Sequence, residues 1–123
     1  MIAATLLEAL REKDLATWRR FDELELAAYK QYDDYGTTEN YIYQEDLIEP
    51  ARLALLQAVL QDACQARGWS WRMQGFPEID DDHPGQTCCT IMRRKGIIWY
   101  DHKTAYGASP AEALLSCYLE AIG

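Results

Sequence analysis

The sequence predicts an α+β protein in which N-terminal helices are followed by a helix, a three-stranded antiparallel sheet and a last helix. Two observations predict this class. Apolar residues recur at helical spacing in residues 2–32, 50–67 and 110–122, as on the buried face of a helix. Residues 69–73 alternate apolar and polar side chains, which is the period of a half-buried strand. The chain has 123 residues and fits a single domain.

The first part of this domain, residues 1–48, is expected to be helical and acidic. A short helix covers Ile2–Lys13. Asp14 caps a second helix, Leu15–Tyr32, because its carboxylate can accept hydrogen bonds from the free amides of the first turn. The segment Gly36–Gln44 carries Thr, Asn and Tyr residues after a glycine, and we interpret it as a loop or a short extended piece.

The second part, residues 49–123, is expected to form an α-β-β-β-α core. Pro50 is expected at the first position of the opening helix, where its missing amide costs nothing. Gly68 ends that helix, directly before the strand predicted from the alternating residues. A loop containing two prolines and an aspartate run follows over Gly75–Gln86.

Two strands and a helix complete the predicted core. Residues 87–94 and 97–106 form strands joined at Lys95-Gly96, a hairpin signal. Ser109 caps the last helix and Glu112 stands where a capping box requires it. The residues expected in the core are Trp69, Trp71, Leu56, Leu60, Leu115 and Leu119.

Charge is unevenly distributed along the chain. The formal net charge is −8, and a protein that binds duplex nucleic acid normally needs a basic face. Direct nucleic-acid binding is therefore disfavoured. Residues 1–48 carry 11 acids and 5 bases, whereas residues 49–123 carry 9 acids and 7 bases. The segment Asp22–Asp46, called here the acidic segment, holds eight acids and the single base Lys30.

The compartment and the cofactors are also constrained by the sequence. No secretory signal and no apolar run long enough for a membrane span is present, so the expected location is the cytoplasm, without a membrane partner. The four cysteines fall inside predicted helices or strands, which favours reduced, mostly buried thiols. Glycines do not cluster into a phosphate-binding loop, and no cofactor is predicted.

Two resemblances concern the second part of the chain. Its helix–three strands–helix order is similar to that of the double-stranded-RNA-binding domain, a family that requires a lysine-rich start to its last helix; here that start reads Ser109-Pro110-Ala111-Glu112-Ala113. The segment Gly96–Ile122, with Trp99 in a strand and Tyr106-Gly107-Ala108-Ser109-Pro110 leading into the helix, resembles small phage and prophage proteins of the α–β–α sandwich type. This resemblance implies a mobile-element origin and no catalytic residue.

Two catalytic alternatives follow from the residues. A two-residue turn at Lys95-Gly96 would set Cys89 opposite His102 on one face of the sheet, where a thiol and an imidazole could pair. The run Asp80–His83 could hold a divalent cation, although a charged loop is more often simply solvated. Together these residues, with Cys88 as the alternative thiol, suggest a small thiol- or metal-assisted hydrolase.

The acidic segment is the preferred candidate for function. Tyrosines and acids interleave there, and tyrosine is enriched at protein interfaces because it offers a large rigid surface with one polar group. We therefore predict a non-enzymatic accessory protein that binds a basic protein surface, for example a counter-defence inhibitor that imitates the charge of phosphates. A structural homo-oligomer built through the N-terminal helices is a further alternative. The predicted partner-binding residues are Tyr29, Tyr32, Asp33, Asp34, Tyr35, Glu39, Tyr41, Tyr43 and Asp46.

Overall fold

Along the chain, three helices precede a three-stranded sheet and one helix follows it. The predicted α+β class and order of elements are confirmed. The computed structural model describes the backbone of residues 2–33 and 38–123, and the side chains of residues 2–27 and 49–123. In these residues the elements are α1 (Ala4–Lys13), α2 (Leu15–Asp33), α3 (Thr38–Ala66), β1 (Ser70–Gly75), β2 (Thr87–Lys95), β3 (Ile98–Gly107) and α4 (Pro110–Ile122).

The helix ends follow the predicted local chemistry, with one exception. Asp14 accepts the amide of Thr17 at 3.3 Å and caps α2. Ser109 accepts the amide of Glu112 at 3.2 Å and caps α4. Beyond the end of α3, Gly68 adopts φ 73°, a left-handed conformation that glycine reaches without steric cost.

The exception is the start of α3. Residues from Thr38 onward are helical, so the predicted loop over Gly36–Gln44 is wrong from Thr38, while Gly36 and Thr37 lie outside the described residues. Pro50 lies inside this helix instead of at its first position. An internal proline removes one backbone hydrogen bond and costs about 3 kcal/mol. The other bonds of a 29-residue helix remain, so the helix continues through the proline.

The sheet is an antiparallel meander with the strand order β1-β2-β3. Both α3 and α4 pack against one of its faces, α4 chiefly on β2 and β3 and α3 on β1. The other two helices pack on this helical layer, α1 against α4 and α2 against α3. In the described part of the chain, no helix therefore covers the second face of the sheet, which we call the outer face.

The core lies between the sheet and the helical layer. Of the six predicted core residues, Leu56, Leu60, Leu115 and Leu119 are buried. Trp69 and Trp71 are half-buried and pack against the core from its margin, because Trp71 lies on the edge strand β1 and Trp69 directly precedes it. Ile2, Leu10 and Phe21 of the N-terminal part also belong to the core.

Candidate functional site

The predicted partner-binding residues belong to the end of α2 and the beginning of α3. Tyr29, Tyr32 and Asp33 lie on α2, and Asp34 and Tyr35 fall between the two helices, outside the described residues. The remaining residues, Glu39, Tyr41, Tyr43 and Asp46, lie on α3. None of the nine side chains is in the described part of the chain, so the acidic interface stays a prediction.

The three strands have the opposite charge from the acidic segment. They contain five of the chain's bases and one acid, a formal net charge of +4 in a chain whose net charge is −8. The bases are Arg72, Arg93, Arg94, Lys95 and Lys103, and the acid is Asp101. The strands are therefore basic, whereas the loop between β1 and β2 carries four acids, Glu78, Asp80, Asp81 and Asp82.

The outer face of the sheet combines aromatic and polar side chains. Strand alternation and the observed register place on it Trp99 and Tyr106 of β3 and Cys88 of β2. The imidazole of His83 stacks on Tyr106, with the ring centroids 3.8 Å apart, and Phe76 lies against both rings. The neighbouring Cys88, through its charge when ionised, raises the pKa of Tyr106. This end of the face is an aromatic surface with one half-buried thiol.

The aspartate run beside these rings shapes the loop that carries His83. One carboxylate oxygen of Asp80 accepts the amides of Asp82 at 3.0 Å and His83 at 2.8 Å. No group of three or more His, Cys, Asp or Glu residues with the geometry to hold a metal ion occurs among the described residues. In this structure, Asp80 has a positioning role in the loop, because it fixes the backbone from which His83 reaches Tyr106.

The predicted pairing of Cys89 with His102 is wrong. The turn lies at Gly96-Ile97, since Lys95 pairs with Ile98, and this moves the register by two residues. A bulge between Ile91 and Met92 moves it by one more, so Cys89 pairs with Ala105. His102 is the extra residue of the bulge, and its ring lies 6.3 Å from that of Trp69. Neither the turn position nor the bulge is encoded by the hairpin signal Lys95-Gly96.

The cysteines other than Cys88 lie close together between the sheet and the helices. All four cysteines are free, and Cys64, Cys89 and Cys117 are fully buried. Burial raises the pKa of Cys64 to about 12. A hydrogen bond to Cys117, together with burial, raises the pKa of Cys89, while the thiol of Cys117 donates to the carbonyl of Lys103. Cys64 and Cys89 are therefore protonated core thiols at neutral pH, whereas the hydrogen bond with Cys89 lowers the pKa of Cys117. A thiol is a nucleophile only as its thiolate.

A buried polar cluster joins the N-terminal helices to the core. The hydroxyl of Tyr118, which is fully buried, donates to Asp14 Oδ2 at 2.5 Å and accepts from Arg67 Nε at 3.2 Å. Burial alone would raise the pKa of Asp14, but hydrogen bonds from Thr17 and Tyr118 and the charge of Arg67 outweigh it and lower the pKa. Sequence reasoning identified Asp14 only as a cap, because Tyr118 lies 104 residues away along the chain.

The motif that resembles phage proteins forms a tight joint between β3 and α4. A Cβ atom on Gly107 would lie 2.5 Å from the backbone nitrogen of Ala113, so only glycine fits this approach. Ser109 then caps α4, and Ala111 and Ala113 are buried. The close packing of β3 against α4 is therefore sufficient to explain the residues of this motif.

Comparisons with known proteins identify no relative. No family model, no curated protein and no solved structure matches the chain. Among the described residues, no helix combines the length and the apolar character that crossing a membrane requires.

Proposed function

We propose that the chain is a non-enzymatic accessory protein, of phage or prophage origin, that binds a basic surface of another protein through its acidic segment. The observation that supports the proposal is the separation of charge. Most of the acidic segment belongs to α2 and α3, whereas the strands have a formal net charge of +4 and the loop between β1 and β2 carries four acids.

The separation of charge favours one orientation of a basic partner. Such a partner is attracted to the acidic segment and repelled by the bases of the strands, and fields of this kind raise the rate of productive encounter. Like charges repel one another, so the concentration of acids in this segment favours a role in binding; among the acids whose side chains are described, Glu25 also pairs with Arg52 Nε at 3.0 Å.

The hydrolase alternative receives no support from geometry. Its predicted thiol–imidazole pair is not formed, and the thiols of Cys64, Cys89 and Cys117 are buried. Cys88 is half-buried and lies beside Tyr106 across the strands. Protein binding is therefore the function that we carry forward.

The test is to neutralise the acidic segment and measure folding and binding separately. In one variant Asp33, Asp34, Glu39 and Asp46 are changed to Asn or Gln. We expect unchanged or slightly higher melting temperature, and weaker binding to the partner captured from the native host, mainly through a slower association rate. The loss should shrink as salt is added.

A matched control changes the same number of acids outside the segment, namely Glu8, Glu12, Asp62 and Glu120. Equal binding by the wild type and the acidic-segment variant would mean that the charge of the segment serves solubility and not binding. A large fall in melting temperature would show that these carboxylates hold structure and would contradict the proposal in the same way.

A further inference from the structure

Two of the buried thiols, those of Cys89 and Cys117, are in hydrogen-bond contact with each other. Cys89 lies on β2 opposite Ala105, and Cys117 lies on α4, the helix that packs on β2 and β3. Both side chains are fully buried and belong to the core. The contact between the two thiols therefore joins the sheet to the last helix inside the core.

The contact has the arrangement that a disulfide needs. A bridge forms only between cysteines whose side chains face each other at short range, and two thiols that share a hydrogen bond meet this condition. Ala105, the residue opposite Cys89, is small and buried, so α4 can lie close to the sheet at this point. The two sulfurs need only close from hydrogen-bond contact to bonding distance.

The two thiols differ in acidity, as the members of a reactive pair do. The hydrogen bond with Cys89 lowers the pKa of Cys117, against burial, which would raise it. The same hydrogen bond, together with burial, raises the pKa of Cys89. Cys117 is therefore the thiol that ionises first, and the thiolate is the reactive form. Burial raises the pKa of the neighbouring Cys64 to about 12, so Cys64 stays protonated.

The thiol of Cys117 also lies close to the margin of the core. It donates to the backbone carbonyl of Lys103 at 3.2 Å, and Lys103 is an exposed residue of β3, a strand at the edge of the sheet. A small neutral oxidant can reach such a group through local opening, which needs less free energy than global unfolding. A hydroperoxide is an oxidant of this kind, and it converts a thiolate to a sulfenic acid.

We propose that Cys89 and Cys117 are a redox-sensitive pair, which a hydroperoxide converts into a disulfide that ties β2 to α4. The Cys117 thiolate attacks one peroxide oxygen and becomes a sulfenic acid. The O–O bond breaks, and with hydrogen peroxide the released hydroxide takes up the proton that Cys117 lost and forms water. The Cys89 sulfur then attacks the sulfenic sulfur and forms the S–S bond, while the departing hydroxide takes the Cys89 proton as a second water. Two thiols are oxidised and one peroxide is reduced.

The disulfide stabilises the reduced fold without changing its order of elements. A bridge stabilises a protein mainly by restricting its unfolded chain, and this one closes a loop that contains β3 and the joint at Gly107. We expect the melting temperature to rise by about 5–10 °C on oxidation. Reduction of the disulfide should reverse the rise, so the stability of the fold follows the redox state of its surroundings.

The experiment is treatment of the folded, full-length protein with hydrogen peroxide at pH 7, followed by alkylation of the remaining thiols in denaturant and mass spectrometry. We expect non-reducing peptide mapping to join the peptide that contains Cys89 to the peptide that contains Cys117. Cys88→Ala is mapped beside the wild type, because Cys88 and Cys89 are adjacent and this variant makes the assignment unambiguous. The melting temperature of both proteins should rise on oxidation and return to its starting value with dithiothreitol.

The matched control for the pairing is Cys64→Ala, which removes a buried thiol and leaves the pair intact, so its bridge should still form. Cys89→Ala should prevent the bridge and leave a sulfenic acid on Cys117, which dimedone traps. Cys117→Ala should prevent the bridge and give no trapped acid on Cys89. Circular dichroism of each variant separates loss of reactivity from loss of folding, and the result in Cys88→Ala requires none of the other variants.

Oxidation confined to Cys88, or a bridge that includes Cys64, would refute the proposal. A mixture of all pairings would refute it as well, because that mixture is the product of a chain that is oxidised only after unfolding. None of these outcomes depends on the acidic segment, so the proposed function is tested separately.

Discussion

Removing the hydroxyl of Tyr118 tests the account of the buried polar cluster. Tyr118→Phe keeps the ring but removes a hydrogen bond donated to the Asp14 carboxylate at 2.5 Å and one accepted from Arg67 at 3.2 Å. Hydrogen bonds to charged groups contribute about 1.5–3 kcal/mol. The Arg67 side chain is 43% exposed, so water compensates for most of the second bond. We expect a loss of about 2 kcal/mol in the free energy of unfolding at pH 7.

The measurement is urea denaturation followed by circular dichroism, and the corresponding fall in melting temperature is about 6–10 °C for a domain of this size. Tyr100→Phe, on a side chain that is 45% exposed, is the control and should change stability by less than about 0.5 kcal/mol. A double-mutant cycle with Asp14→Asn isolates the contact between the two side chains. The reasoning is refuted if Tyr118→Phe costs no more than the control or if the cycle shows no coupling.

The pH dependence of the same contact has a defined sign. The folded pKa of Asp14 lies below its ordinary value of 3.8, so ionised Asp14 stabilises the folded state above that value. This stability is lost as the pH falls through the folded pKa. The difference in unfolding free energy between wild type and Tyr118→Phe should therefore be largest near neutral pH and should shrink as the pH falls below 3.8.

Three further predictions concern the core. Gly107→Ala should destabilise the fold by about 1–3 kcal/mol in urea denaturation, because the added Cβ has no room against α4. Gly75→Ala is the control and should leave stability unchanged, since nothing lies within 4 Å of its Cβ. Equal losses of stability in the two variants would contradict the close approach of Gly107 to α4. Ser109→Ala should cost about 1 kcal/mol by the same measurement, since an orphan amide of α4 loses its acceptor, and no change would mean that the cap is replaced by water. Iodoacetamide at pH 8 should modify Cys88 in the folded protein and the other three cysteines only after unfolding, as read by mass spectrometry; rapid labelling of Cys64 would contradict its burial.

The local sequence determined the elements whose signals lie within a few residues. Asp14 and Ser109 cap their helices because a side-chain oxygen needs only the amides two or three residues ahead. Gly68 ends α3 beside the strand that alternation predicts, because its φ of 73° is open to glycine at no cost. These effects are short in range, and for the same reason the order of helices and strands could be predicted without any knowledge of packing.

Only the tertiary structure decided where those elements meet. Pro50 resembled a helix start, yet the residues before it are helical, because the rest of the helix outweighs one lost bond. The pairing of Cys89 with Ala105 depends on a turn and a bulge that local propensity does not specify. The contact between Asp14 and Tyr118 spans 104 residues and exists only because α1, α2 and α4 pack together. In the described part of the chain, the helices pack on one side of the sheet and leave its outer face without a helix, an arrangement that no periodicity in the sequence records.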